Sequence, residues 1–438
     1  MMTIQTTKAD MPQKSMTEPW TSTAAVSGCG LVLLGMYTVP LLRTLSSIGI
    51  ALITLIGLIY LVLNRRAEQL DKLPPYAAVT LLFALQLVSG INTDADNMKE
   101  FWRGVVLQLP FLLLPIAFVI LPAPSARLRG ILYTFFVLIT AASAVGSTVY
   151  YLFHAEEVHE LYKHSKLMPT VPDHVNFSIL VALATATGVQ LLECEQLAAN
   201  TRKWLIGCVV FLVFFQYLLA VRSGLLAFYV FSMMYGARLL WRRQILKAAL
   251  LGCFLLLMPI VSYVCLPTFY NKYHNTREDA GQLGQSQEAN RYSLVGRVYS
   301  YQAAWAIAKE NPVWGVGKAD VHREMSAQYQ ALFPQITSNN YNRPHNQYLE
   351  QLVSYGAVGL MVFLLGFYYP LWWARRRWHW LLLAYYSVIT VSFMVNPMLE
   401  SQIGTVIPAF FLAFLLWVIP SRGDLNKPVT TNTVTYSS

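Results

Sequence analysis

Apolar residues fall in long runs along this chain, and polar residues are confined to the intervals between them. The runs cover roughly Val26–Leu42, Leu45–Leu63, Leu73–Gly90, Gly104–Leu121, Gly130–Phe153, Val175–Leu192, Trp204–Val221, Gly224–Ala237, Ala248–Pro267, Gln351–Trp373, Trp380–Val395 and Gly404–Pro420. About 20 apolar residues cross a bilayer core of roughly 30 Å as a helix, and the cores of these runs contain no Asp, Glu, Lys or Arg. A segment in lipid must satisfy its own backbone hydrogen bonds, which leaves helices as the reading for such runs. The pattern therefore predicts an all-α polytopic membrane protein with about twelve transmembrane helices. Residues 1–25 form a tail, 26–267 hold spans one to nine, 268–346 form one large loop, 347–420 hold spans ten to twelve, and 421–438 form a second tail.

Composition agrees with this reading. Of the 438 residues 55% are hydrophobic and only 12% charged, against about 25% charged in soluble domains. Mean hydropathy is +0.44. A soluble enzyme, a disordered chain and a disulfide-built secreted domain are excluded. The net charge of +10 fits cytoplasmic loops better than nucleic-acid binding. With the N-terminus in the cytoplasm, the cytoplasmic segments hold 18 Lys and Arg, the short outer segments six, and the large loop the remaining eight of 32. Long loops weigh little in this rule, so the split puts both termini in the cytoplasm and the large loop outside. Cys29, Cys194, Cys208, Cys253 and Cys265 lie in or beside apolar runs, with neither a disulfide framework nor a metal pattern. The polar first 25 residues, with Pro12 and Pro19, do not read as a cleaved signal peptide. Trp204, Trp372, Trp373, Trp380 and Trp417, near span ends, are expected in interfacial belts.

A loop as long as 268–346 is usually functional. In its middle Val298, Tyr301, Trp305 and Ala308 recur at helical spacing, and Asn311-Pro312 ends that helix. Gly315 and Gly317 then predict a tight turn. The GVGKAD sequence there lacks the spacing of a phosphate-binding loop. Residues 275–290 read as a polar, flexible segment, and residues 339–344 as turns leading to His345-Asn346 at the mouth of the tenth span.

Taken together, Arg297, Trp305, Asn311-Pro312, Gly315-Val316-Gly317, His345-Asn346, Leu349-Glu350 and Gly356 with Gly359 resemble the O-antigen ligase and polymerase superfamily. The helix count and the VRSG sequence at 221–224 are similar to that family as well. The resemblance implies an inverting, metal-independent glycosyl transfer, without cofactor, on the outer face of a bacterial inner membrane. The donor it implies is a glycan on undecaprenyl diphosphate. The acceptor it implies is lipid A–core, another lipid-linked glycan or a protein hydroxyl. It further implies that Arg222 and Arg297 hold the donor diphosphate and that His345 acts at the acceptor hydroxyl.

The residue chemistry is compatible with those roles. Guanidinium groups stay charged and pair with phosphate through two hydrogen bonds. Arg222 is the basic residue of a very short outer turn between two spans; its bland alternative is a snorkelling helix anchor. Arg297 stands 15 residues before Pro312 and fits the motif better than Arg291, 21 before it; either could instead be a solvated surface arginine. Arg343, two residues before His345, is a further candidate for phosphate binding, its alternative being a lipid-headgroup contact. His345 can accept a proton near neutral pH or simply cap the following helix. Asn346 would fix the turn or orient His345, and Glu350 would either take a catalytic role or favour the helix N-terminus by its charge. His154, His159, His164 and His174 crowd one outer loop, but the five-residue step from His159 to His164 does not match the i, i+4 pair of helical zinc sites, and no metal is expected. Asp94, Asp96 and Glu100 are expected to be solvated.

A transporter or flippase is the main competing class. It would carry ionisable residues inside its spans and repeated halves, and neither is evident. A non-catalytic scaffold is a third class. Within the transferases, the sequence leaves ligase, polymerase and protein oligosaccharyltransferase open, with the ligase favoured.

Overall fold

The computed structural model describes residues 18–38, 44–163, 166–194, 197–375 and 379–419, and every regular element among them is helical. In chain order these are α1 (Glu18–Met36), α2 (Thr44–Asn64), α3 (Leu73–Val88), α4 (Met98–Gln108), α5 (Pro110–Ile120), α6 (Ala126–Phe153), α7 (Ala155–Lys163), α8 (His174–Cys194) and α9 (Ala199–Leu219). There follow α10 (Arg222–Trp241), α11 (Ile245–Cys265), α12 (Pro267–Gly281), α13 (Ser293–Glu310), α14 (Val321–Leu332), α15 (Gln347–Ala374), α16 (Trp380–Val395) and α17 (Gln402–Val418). Among the described residues nine helical segments are long and apolar enough to cross a membrane, and α16, α17 and Trp20–Met36 of α1 are shorter apolar helices. This is the all-α polytopic architecture that the hydrophobic pattern predicts. Lys8, Lys14, Arg43, His164, Arg376, Arg377, Arg422 and Lys427, which enter the sequence reading, lie outside the described residues.

Alternate connections gather at opposite ends of the bundle. At one end, Asn92 after α3 donates to the carbonyl of Gly315 at 3.0 Å, Tyr162 in α7 donates to the carbonyl of Leu219 at 2.8 Å, and the side-chain oxygen of Gln347 accepts from the N–H of Leu399 at 2.9 Å. At the other end, the N–H of Glu68 donates to the carbonyl of Ile120 at 3.1 Å, and Lys72 donates to the carbonyl of Trp417 at 3.0 Å. A chain that crosses a slab with each long helix must sort its turns in this way.

Several local expectations change. The segment after α11, read as partly flexible, is the helix α12, opened by Pro267 at its first turn and burying Thr268, Asn275 and Asp279. On α13 the periodicity holds but the face is offset. Val295, Tyr299, Ala303, Ala304 and Ile307 form the buried stripe, whereas Trp305 is exposed and lies under the Lys309 ammonium. Trp417 is fully buried and stacks on Phe118, and Trp380 is buried under the Arg238 guanidinium. These two tryptophans are core residues, while Trp204 and Trp372 remain exposed. Asp94 is not simply solvated: its carboxylate pairs with Arg323, and its N–H donates to Asp320 at 3.1 Å. The turn after α3 is thus stitched to the large loop.

The large loop is anchored by its own backbone. The span helix α15 is interrupted at Gly356, with φ of 66° and ψ of −168°. The turn after α13 fills that interruption. The N–H groups of Val316 and Gly317 donate to the carbonyls of Val353 and Ser354, both at 3.0 Å, and the N–H of Ala357 donates to the carbonyl of Pro312 at 2.8 Å. Backbone that leaves the helix at membrane depth is tolerated when protein satisfies it, and here the loop does so.

Candidate functional site

The α9–α10 reversal is very short. Ala220 takes the left-handed conformation, φ 49°, and ends α9; Val221 is extended, and Arg222 starts α10. This fixes Arg222 at the loop end of the bundle, with its Nη2 3.0 Å from Oδ2 of Asp279. Asp279 is fully buried. Its Oδ2 also receives the N–H of Leu294, at 3.4 Å, in the first turn of α13. One carboxylate therefore ties α10, α12 and the start of α13 together. It is held by contacts further down α12: Thr268 donates to the carbonyl of Leu218 at 2.7 Å, and Asn275 donates to that of Tyr162.

Lys272, two turns before Asp279 on α12, and Arg297, one turn into α13, converge on the same place. Burial lowers the pKa of Lys272 to about 8, with Arg222 and Arg297 adding repulsion and Asp279 opposing it. Burial likewise lowers that of Arg297, which also feels Arg222. Among the described residues neither Lys272 nor Arg297 has a carboxylate within ion-pair distance, so of the three cations only Arg222 is paired with Asp279, whose charge the other two feel from further away. Such a cluster is an anion site in waiting, because desolvated cations without counterions gain most from an incoming negative charge.

His345 adjoins this cluster. The Tyr301 hydroxyl, one turn beyond Arg297 on α13, donates to the backbone carbonyl of His345 at 2.9 Å. Burial and then the Arg297 charge depress the His345 pKa to about 4, so its imidazole is neutral at physiological pH and can accept a proton. The helix is capped by Asn346 instead, whose side-chain oxygen receives the N–H groups of Tyr348 and Leu349 at 2.9 and 3.1 Å. Arg222, Arg297 and His345, from three separate stretches of chain, thus meet at one end of the bundle. Arg291 does not join them and is exposed on the loop surface.

Arg343 and Glu350 belong to a second cluster. Lys318 and Arg343 each approach Oε1 of Glu350 at 2.8 Å, and both also pair with Glu400. Glu350 is fully buried, with Oε2 unpartnered. It therefore acts through two buried ion pairs, not through the helix dipole alone, and Arg343 is a network member, not a headgroup anchor. Despite opposing burial, the Glu400 and Glu350 carboxylates hold the pKa of Arg343 above its ordinary value. Removing one partner of such a network leaves an uncompensated buried charge, typically about 3–5 kcal/mol.

Sequence reasoning missed Asp279, Lys272, Lys318 and Glu400. Glu400 carried a signal, being a lone carboxylate in the apolar stretch between α16 and α17. Asp279 and Lys272, seven apart in the polar stretch after α11, carried one only if that stretch is a helix. Of the outer histidines, His154 stacks on Tyr150 and His159 shares a hydrogen bond with Tyr151 at 2.9 Å.

Residues 207–364 match the family model described as O-antigen ligase. The match begins in α9, covers the Arg222–Asp279 cluster and, of the second cluster, Lys318, Arg343 and Glu350 but not Glu400, and ends in α15. No curated protein matches the chain.

Proposed function

We propose, from the match of residues 207–364 of this polytopic membrane protein to the family model described as O-antigen ligase, that this chain is a glycosyltransferase acting on lipid-linked glycans at the periplasmic face of a bacterial inner membrane. The donor is a glycan on undecaprenyl diphosphate, and the acceptor is a hydroxyl of lipid A–core. The observation that carries this reading is the group of three cations with a single paired carboxylate, Asp279 on Arg222, beside a neutral histidine.

In this reading Arg222, Arg297 and Lys272 bind the donor diphosphate. Asp279 holds Arg222 and the start of α13, which carries Arg297, in register before the donor arrives. The acceptor oxygen attacks the anomeric carbon of the donor sugar from the face opposite the diphosphate, which inverts the configuration. The new carbon–oxygen bond forms as the bond to the diphosphate oxygen breaks, and undecaprenyl diphosphate leaves with the electron pair. His345 takes the acceptor proton. The cations stabilise the charge that develops on the leaving group, a role for fixed positive charge in a desolvated site. Bound diphosphate would also offset the Arg297 field at His345 and strengthen the imidazole as a base just when it is needed. The reading assigns this work to side chains and requires neither metal nor cofactor.

Glycan profiles of a deletion strain complemented with Arg222→Ala, Arg297→Ala or His345→Ala test the proposal. Each substitution is expected to lower transfer at least about 100-fold, with lipid-linked glycan accumulating on the outer leaflet. Accumulation on the inner leaflet would mean a flippase. Chains kept on the carrier at full length identify a ligase, whereas chains shortened to one repeat unit on lipid A–core identify a polymerase.

A further inference from the structure

The loop end of the bundle holds a polar cavity of about 570 Å³, lined among others by Gln86, Arg103, Gly104, Gln108, Arg323 and Glu400. Small-molecule pockets span about 300–1,000 Å³. It is bounded by α3, α4, the Lys318–Arg323 segment and the turn before α17, and Arg343 forms one wall only two residues from His345. The proposed diphosphate site uses none of these lining residues.

Two features indicate what the cavity takes. The first is its charge. Lys318 and Arg343 are matched by Glu350 and Glu400, and Arg323 is matched by Asp94, Asp320 and Glu324. Arg103 lies 3.5 Å from Glu100. With each of these cations already compensated, the cavity favours a neutral ligand over free phosphate. The second is its floor. Gln86 is almost fully buried, its Oε1 accepts from the Tyr355 hydroxyl at 3.2 Å, and its Nε2 has no partner. A side chain at Gly104 would stand 2.6 Å from that Nε2; glycine lets the amide pack closely against the α4 backbone. A buried unpartnered donor is costly until something accepts from it. Carboxylates, amides and guanidiniums around one hollow present both donors and acceptors, which is what a ring of sugar hydroxyls requires.

We propose that this cavity is a saccharide subsite that holds non-reacting sugar rings of a glycan while its reacting end lies at His345. The assignment rests on the glycosyl-transfer reading for the source of the sugar, but not for its binding. The test uses the full chain in lipid nanodiscs and two lipid-free probes, the core oligosaccharide and the repeat-unit oligosaccharide, each released by mild acid from the strain's own lipopolysaccharide. Saturation-transfer NMR and calorimetry read binding to wild type, Arg103→Ala at the rim and Gly104→Ser at the floor, with thermal unfolding as the folding control. One probe is expected to bind wild type and to bind both variants at least tenfold more weakly. Core binding marks an acceptor subsite, and repeat-unit binding a donor subsite. In the transfer assay the variants should raise the KM for that glycan more than they lower kcat. Failure of both probes to bind, equal binding to folded variants, or displacement by inorganic phosphate each overturns the subsite. If the saccharide binds as expected but His345→Ala leaves transfer intact, the subsite stands and the catalytic reading falls.

Discussion

His345 is where residue identity and surroundings pull furthest apart. A histidine ordinarily titrates near 6.5, yet burial and Arg297 bring this one to about 4. Below about pH 6.5 an unfolded chain would take up a proton that the native site resists. Neutral burial therefore contributes stability that is fully present above that pH and lost as pH falls towards 4. Histidine-selective NMR of the donor-free protein should find the His345 titration near pH 4. Arg297→Gln removes a repulsive charge and should move that midpoint upward, and added pyrophosphate should move it the same way. A midpoint of 6.5 in wild type, unmoved by either, would contradict the electrostatic account. The same reasoning separates Arg297 from Arg291. Both are plausible on spacing, but Arg297 is on the face of α13 that meets Arg222, and Arg291 faces solvent.

The interlocking of the large loop with α15 sets the geometry among elements. Gly315 and Gly317 have φ of 68° and 88°, and Gly356 has 66°. An added Cβ at Gly356 would stand 2.2 Å from the Val313 carbonyl carbon, and one at Gly315 would stand 2.5 Å from the Val353 carbonyl oxygen. Both the dihedral and the space call for glycine. Gly356→Ala and Gly315→Ala should each destabilise the protein by at least about 1–3 kcal/mol, the usual cost of a strained backbone position. They should also loosen the loop, because the residues beside them hydrogen-bond the two segments together, Val316 and Gly317 to Val353 and Ser354, and Ala357 to Pro312. Gly30→Ala, with nothing within 4 Å, is the control and should melt at or above the wild-type temperature. Thermal unfolding in detergent and limited proteolysis of the loop measure both effects, and wild-type melting and cleavage in the two interlock variants would refute the coupling. The motif glycines were legible in the sequence as a turn and as a helix position. Their meeting was not, since residues 315 and 356 are neighbours only after the chain folds.

For the whole molecule, alternation of turns between two ends follows from the order of long apolar helices, and the contacts at each end agree with it. Which end faces outward rests on the Lys and Arg split. In a cysteine-free background, Gln335→Cys in the large loop should react with a membrane-impermeant maleimide added to spheroplasts, whereas Lys247→Cys at the start of α11 should react only after lysis. The reverse pattern would invert the topology and put both charge clusters in the cytoplasm. α11 itself is hardly covered by protein, with Leu256 and Val264 about three-quarters exposed, as a lipid-facing helix should be.

Sequence alone determined the spans, their alternation, the breaks at Pro312, Gly315 and Gly317, and the cations and histidine worth following. These depend on hydrophobic runs, backbone limits and side-chain chemistry, which are properties of short stretches. Tertiary structure alone decided that Asp279 rather than another carboxylate holds Arg222, that Lys272 completes the cation group, and that Glu350 and Arg343 belong with Lys318 and Glu400. A buried charge is stabilised by whichever partner folding brings within about 3 Å, and Glu400 and Lys318 come together from positions 82 residues apart.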